Sequence, residues 1–156
     1  MGALVKYSLF FLLFCFLITT QIFSQPSGSP LQGLGKKDIT VKFGVPGSNG
    51  ARVKPHNGID FAVKEGTKVL ATADGVINRV KNSTGHYGLN IKIRHDDVYE
   101  TFFAHLQKAF VAVGDSVRQG DVIGYVGTSG LTDGPTLHYE IRKNGEQIDP
   151  EKNVPD

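Results

Sequence analysis

From His56 onward the chain is a succession of short runs in which apolar and polar residues alternate, among them "KVLATA", "GVINRVK", "LNIKIRH", "YETFFAHL", "AFVAVG", "VIGYVG" and "LHYEIRK". Turns containing glycine separate them. Alternation at period two sends successive side chains to opposite faces, the mark of strands with one side in a core. Short strands at close spacing predict an all-β barrel or sandwich. No window keeps helical spacing for three turns, and the one helical feature expected is a single turn near residues 106–109. In "TLHYEIRK" the pattern puts Leu137, Tyr139 and Ile141 toward the core and Thr136, His138 and Glu140 on a polar face. In "TFFAHL" it puts Phe103 and His105 on one face.

Two segments share a design: "VKEGTKVLATADGVI" and "VAVGDSVRQGDVIGYVG". Each sets an Asp-Gly or Gly-Asp between β runs, where glycine supplies the positive φ of a tight turn. The second is similar to the half-motif of biotinyl and lipoyl carrier domains and other barrel-sandwich hybrids. Ordinary hairpin chemistry explains the pattern equally well. No lysine occupies the hairpin position used for cofactor attachment, which argues against a carrier.

The N-terminus changes the picture of where the chain works. Lys6 is followed by an apolar run over residues 7–18, then polar residues and Ser24. This reads as a secretory signal over residues 1–24. The alternative is an uncleaved membrane anchor, for which the run falls short of the roughly 20 residues that span a bilayer. Cys15, the only cysteine, lies inside the run, and Phe14 is too bulky for a lipoprotein cleavage site. Removing the signal leaves no cysteine, which excludes a disulfide scaffold and thiol chemistry. A chain of this size folds as one domain and buries roughly 68% of its unfolded surface, so packing alone can stabilise it. Residues 25–50 are rich in Gly, Ser and Pro and read as a tether, flexible over 25–42 and ordered from near residues 39–43, with the domain over 43–156. The balance of 17 Lys plus Arg against 15 Asp plus Glu gives no argument for a nucleic-acid partner.

Five histidines remain as candidates for chemistry: His56, His86, His95, His105 and His138. His56 stands in "PHNGID" with Asp60 four residues on. Pro55 and Gly58 disfavour a helix there. A straight strand would separate their Cα atoms by roughly 13 Å, whereas zinc bonds of about 2 Å demand convergence. Asn57-Gly58 suits the required bend, and it suits an ordinary turn equally well. His138, on a polar strand face, could join an Asp and a second His; three protein ligands and an open position are the catalytic form of zinc. Glu140 shares that face about 6.6 Å further along and is expected to support the site or lie at the surface. His95, beside Asp96 and Asp97, and His86, in "TGHYG", read as exposed.

The set "HNGID", "FFAHL" and "GPTLHYE", in that order and with the two look-alike segments between, resembles the LytM/lysostaphin-type zinc metallopeptidases, the peptidoglycan endopeptidase family. The resemblance runs from about Phe43 to Pro150. It implies a mainly β single domain, an antiparallel sheet of barrel-sandwich-hybrid type with loops walling a narrow groove. It implies Zn2+ bound by His56, Asp60 and His138, with His105 the catalytic histidine beside the metal. It also implies peptidoglycan peptides as substrate and a secreted, periplasmic or cell-envelope location. No nucleic acid is expected as a partner, a membrane only through the N-terminal segment, and a monomer is expected.

One position departs from the family pattern. Where the family ends in two histidines one residue apart, Thr136 replaces the first. Threonine accepts protons poorly at neutral pH, but its hydroxyl donates a hydrogen bond. Losing an acid–base partner costs about 10²- to 10⁴-fold, so a slower enzyme relying on His105 is one expectation. The other is a catalytically impaired domain that binds cell wall or regulates other wall hydrolases.

Overall fold

The alternating runs become nine strands in a computed structural model that describes residues 25–46 and 55–156. They are β1 (Ile59–Ala62), β2 (Lys68–Leu70), β3 (Gly75–Asn82), β4 (Leu89–Arg94), β5 (Tyr99–Ala109), β6 (Ser116–Val117), β7 (Val122–Val126), β8 (Thr136–Lys143) and β9 (Glu146–Ile148). All pair antiparallel in one sheet, in the order β1-β8-β5-β4-β3-β6, with β9 on β8 and β7 joining β2 to β5. The described residues contain no α-helix, only 3₁₀ turns at Lys36–Asp38 and Pro150–Asn153. The signal expected over residues 1–24 lies outside the described residues.

The two look-alike segments pair with one another. Strand β2 of the first lies against β7 of the second, and the start of β3 lies against β6 through Gly75↔Val117 and Val76↔Ser116. Their shared design therefore accompanies their pairing with one another in the sheet, rather than marking two separate hairpins.

The core forms where the predicted apolar faces meet. Leu137, Tyr139 and Ile141 of β8 are fully buried with Phe103, Ile91, Ile93 and Phe61. The Tyr139 hydroxyl and Thr72 share a 2.8 Å hydrogen bond, which satisfies the one polar atom the ring takes into the core.

Away from the histidines of the site, three expectations differ from the structure. The helical turn near residues 106–109 is strand, because β5 continues to Ala109 and changes partner from β8 to β7. The tether over residues 25–42 packs on the domain: Leu31 is completely buried and bridges to Val69, while Ser27 N–H bonds the Thr72 carbonyl. Leu31, with Leu34 and Ile39 packed against the core beside it, anchors a stretch whose composition reads as linker. His95, expected to be exposed, is half-buried and bonded at both ring nitrogens, to the Asp74 carbonyl at 2.7 Å and the Thr101 hydroxyl at 2.8 Å.

Candidate metal centre

Register alone brings two of the candidate ligands together. Asp60 of β1 lies opposite His138 of β8, and His138 lies opposite Ala104 of β5 on its other side. His56 arrives from the bend before β1. That bend is possible because Gly58 passes against β8: a Cβ there would come within 2.3 Å of the Tyr139 carbonyl oxygen. Asn57-Gly58 thus folds His56 back over Asp60.

The three donor atoms converge. His138 Nδ1 is 2.7 Å from Asp60 Oδ1, His56 Nε2 is 3.2 Å from the same oxygen, and the two nitrogens are 3.1 Å apart. Four ligands set tetrahedrally at bonds of about 2.0–2.1 Å stand roughly 3.3 Å from one another, so this triangle fits a zinc-sized ion. Two imidazole nitrogens and one carboxylate oxygen form a donor set that zinc takes. Each ring presents its donor because its other nitrogen is engaged. His56 Nδ1–H donates to the Lys42 carbonyl at 3.1 Å, which leaves Nε2 for the ion. His138 Nε2–H donates to Glu140 Oε1 at 3.2 Å, which directs Nδ1 inward.

Glu140 is the hub of that support. It is completely buried, takes the Arg142 Nε and Nη2 donors on Oε2 at 3.0 and 2.8 Å, and accepts the Tyr87 hydroxyl at 3.3 Å. It therefore supports His138 from the interior. Tyr87 and Phe102 pack edge to face at 5.0 Å and close around the His138 ring. The alternation that found His138 also found Glu140. Nothing in the sequence marked Tyr87, Arg142 or the Lys42 carbonyl as parts of the site.

The electrostatics follow from these contacts in the metal-free protein. Burial pushes the Asp60 carboxyl up, but the hydrogen bonds and charges of His138 and His56 outweigh it and hold the group at about 2. Burial disfavours a charged His138, yet Asp60 and Glu140 reverse this and push the ring up to about 9. Burial also raises Glu140, and His138 and Arg142 bring it below the usual carboxylate range.

His105 reaches the site by a route that alternation misses. Phe103 faces the core, yet His105 does not follow it. The residue adopts φ +62°, one of two non-glycine residues described with positive φ, and β5 is irregular around it. The twist turns the imidazole to the site face and returns Leu106 to the core, where it is fully buried. The ring centroid lies 6.2 Å from that of His138. His105 Nδ1–H donates to the Ser129 carbonyl at 2.8 Å, leaving Nε2 an unprotonated acceptor. Burial lowers the ring's pKa and the Ser129 carbonyl offsets this only in part, so it is neutral near pH 7.

Two clefts meet at the donor triangle and share Asp60, His105 and Leu131. One, of about 520 Å³, runs past Thr40, Val41, Thr132 and Thr136. The other, of about 320 Å³, runs past Asn57, His86, Tyr87 and His138. Thr136 is half-buried on the wall of the first, its N–H bonded to the Gly127 carbonyl. Together the clefts make a groove across the donor triangle in which an extended peptide would cross His105.

Comparison with known proteins agrees with this geometry. The model of peptidase family M23 matches residues 54–150. DD-carboxypeptidase/endopeptidase Mpg of Neisseria meningitidis is 50% identical over 95 residues, which cover 61% of this chain and 22% of that protein. This chain therefore spans about a fifth of the length of that curated relative. A zinc-containing peptidase from Vibrio cholerae superposes with a TM-score of 0.76 at 32% identity, over 85% of this chain and 41% of that one. The catalytic domain of the antimicrobial peptidase lysostaphin from Staphylococcus simulans gives a TM-score of 0.67 at 31% identity, over 73% of this chain and 89% of that one.

Proposed function

Because the chain belongs to peptidase family M23, we propose that it is a secreted zinc endopeptidase that hydrolyses peptide bonds in bacterial peptidoglycan. The observation that carries this reading is the placing of the His56, Asp60 and His138 donors in one triangle, with the free Nε2 of a neutral histidine on the same groove. A relative named as a DD-carboxypeptidase/endopeptidase supports the substrate, since peptide bonds between two D-residues belong to the bacterial cell wall.

His56, Asp60 and His138 would hold the zinc ion, which would supply Lewis acidity to the scissile carbonyl and lower the pKa of a water toward about 7. The rest falls to the chain's own side chains. His105 Nε2 accepts the proton of the attacking water, as a neutral imidazole with its other nitrogen tied to Ser129 is suited to do. The Thr136 hydroxyl, on the same groove wall, donates a hydrogen bond to the carbonyl oxygen as negative charge builds there. Glu140 and the Lys42 carbonyl keep the His138 and His56 rings in the tautomers that metal binding needs.

Incubating the zinc-loaded protein with purified cross-linked peptidoglycan dimers tests this. New amine termini and monomeric products are expected, and their absence from walls of every cross-link type would overturn it. Thr136 favours a second reading, a domain that binds wall peptides in the same groove without turning them over. Loss of turnover in His105→Ala, with Thr136→His leaving the rate unchanged, would contradict that reading.

A further inference from the structure

Amide hydrolysis needs two proton transfers: one away from the attacking water and one onto the departing nitrogen. His105 is placed for the first. The groove carries a second imidazole, His86, on the wall of the smaller cleft opposite Thr136's end of the groove. Its ring has no hydrogen-bond partner among the described residues, whereas His95 is engaged at both nitrogens.

The backbone that carries His86 is held in place. The His86 carbonyl accepts the Leu131 N–H at 2.9 Å, and the carbonyl of the next residue, Tyr87, accepts the His105 N–H at 3.0 Å. The loops around Gly88 and Gly130 then touch main chain to main chain. A Cβ on Gly88 would come within 2.3 Å of Ser129, and one on Gly130 within 2.4 Å of the Gly88 nitrogen. The loop bearing His86 is thus tied to the strand and loop that set His105, while His86 itself is exposed on the wall of the cleft. Of the other polar side chains on this cleft, Asp60, His56 and His138 form the donor triangle, His105 is the base, the Tyr87 hydroxyl is bound to Glu140, and Asn57 is hydrogen-bonded to Tyr87.

We propose that His86 is a second catalytic residue that donates the proton to the departing amine. The proposal rests on the endopeptidase reading above. As the C–O bond to water forms and the C–N bond breaks, the water's proton passes to His105 Nε2. The leaving nitrogen takes a proton from His86, whose exposed ring recovers one from solvent while His105 releases its own to solvent, so both rings return to their starting states. The products are a carboxylate and an amine, and water is the only co-reactant.

The test compares His86→Gln with the wild type on a cross-linked peptide and on the matching depsipeptide, whose alkoxide leaving group needs less help from an acid. The expected result is a kcat loss of about 10²-fold on the amide, a much smaller loss on the ester, and unchanged KM and zinc affinity. Equal losses on both substrates, or none on the amide, would overturn the proposal while leaving the endopeptidase reading intact. A measurement that needs no turnover accompanies it: on adding a phosphinate peptide to the zinc-loaded wild type, the His86 ring resonances should shift and those of His95 should not. An unmoved His86 ring would overturn the proposal even if the wild type proves inactive, the outcome that would instead defeat the endopeptidase reading.

Discussion

Replacing His105 separates what its backbone costs from what its ring does. At φ +62° an L-residue forfeits about 1–2 kcal/mol that glycine does not, while glycine gives up about 0.5–1 kcal/mol of chain entropy. Both His105→Ala and His105→Gly lose the 2.8 Å hydrogen bond to Ser129, a net of about 0.5–1.5 kcal/mol that cancels between them. The glycine variant should therefore be the more stable by about 0.5–1 kcal/mol. At a urea slope of about 1.5 kcal/mol/M this is a midpoint roughly 0.5 M higher. The chain has no tryptophan, so urea melts are best followed by circular dichroism. Both variants should lose kcat by about 10²- to 10⁴-fold. An alanine variant as stable as the glycine one would refute the strain argument, and a variant that keeps its rate would refute the proton-transfer role.

Glu140→Gln should weaken zinc binding about 10- to 100-fold in a chelator competition, because His138 loses the charged partner that orients it; an unchanged affinity would show that the contact is idle. Zinc uptake must displace the proton that metal-free His138 holds, since Asp60 and Glu140, outweighing burial, push the ring up to about 9. Calorimetry at pH 7 in buffers of different ionisation enthalpy should show a proton released, and affinity should climb about tenfold per pH unit toward that value. His95 makes a separate prediction: burial lowers its pKa below the ordinary 6.5. Its stabilising contribution is present above that pH and is lost as pH falls through the folded value. The drop in stability below pH 6.5 should shrink in His95→Gln, and an identical pH profile would count against it.

Where a local rule governs the backbone, the sequence was readable. The period-two pattern of residues 136–141 assigned Leu137, Tyr139 and Ile141 to the core and His138 to the opposite face, and all are as expected. The need to bend between His56 and Asp60 followed from strand geometry, and Gly58 meets it. The same rule failed at His105, because one left-handed residue reverses the faces beyond it and histidine gives no warning of that conformation. Long-range partners were equally hidden. The mutual pairing of the two look-alike segments, the burial of Leu31, and the carbonyls of Lys42 and Ser129 that orient His56 and His105 depend on tertiary contacts. A main-chain carbonyl carries no residue signature at all.

The proposed activity rests on one arrangement, a zinc ion held by His56, Asp60 and His138 beside a single base, His105. Mass spectrometry of products from a purified cross-linked peptidoglycan dimer tests it most directly, with zinc-loaded protein, metal-free protein and His105→Ala in parallel. The account predicts cleavage to monomers by the zinc-loaded wild type, none without metal, and a slowing of at least about 10²-fold in the variant. An intact dimer with the zinc-loaded wild type, or equal cleavage by all three, would contradict it.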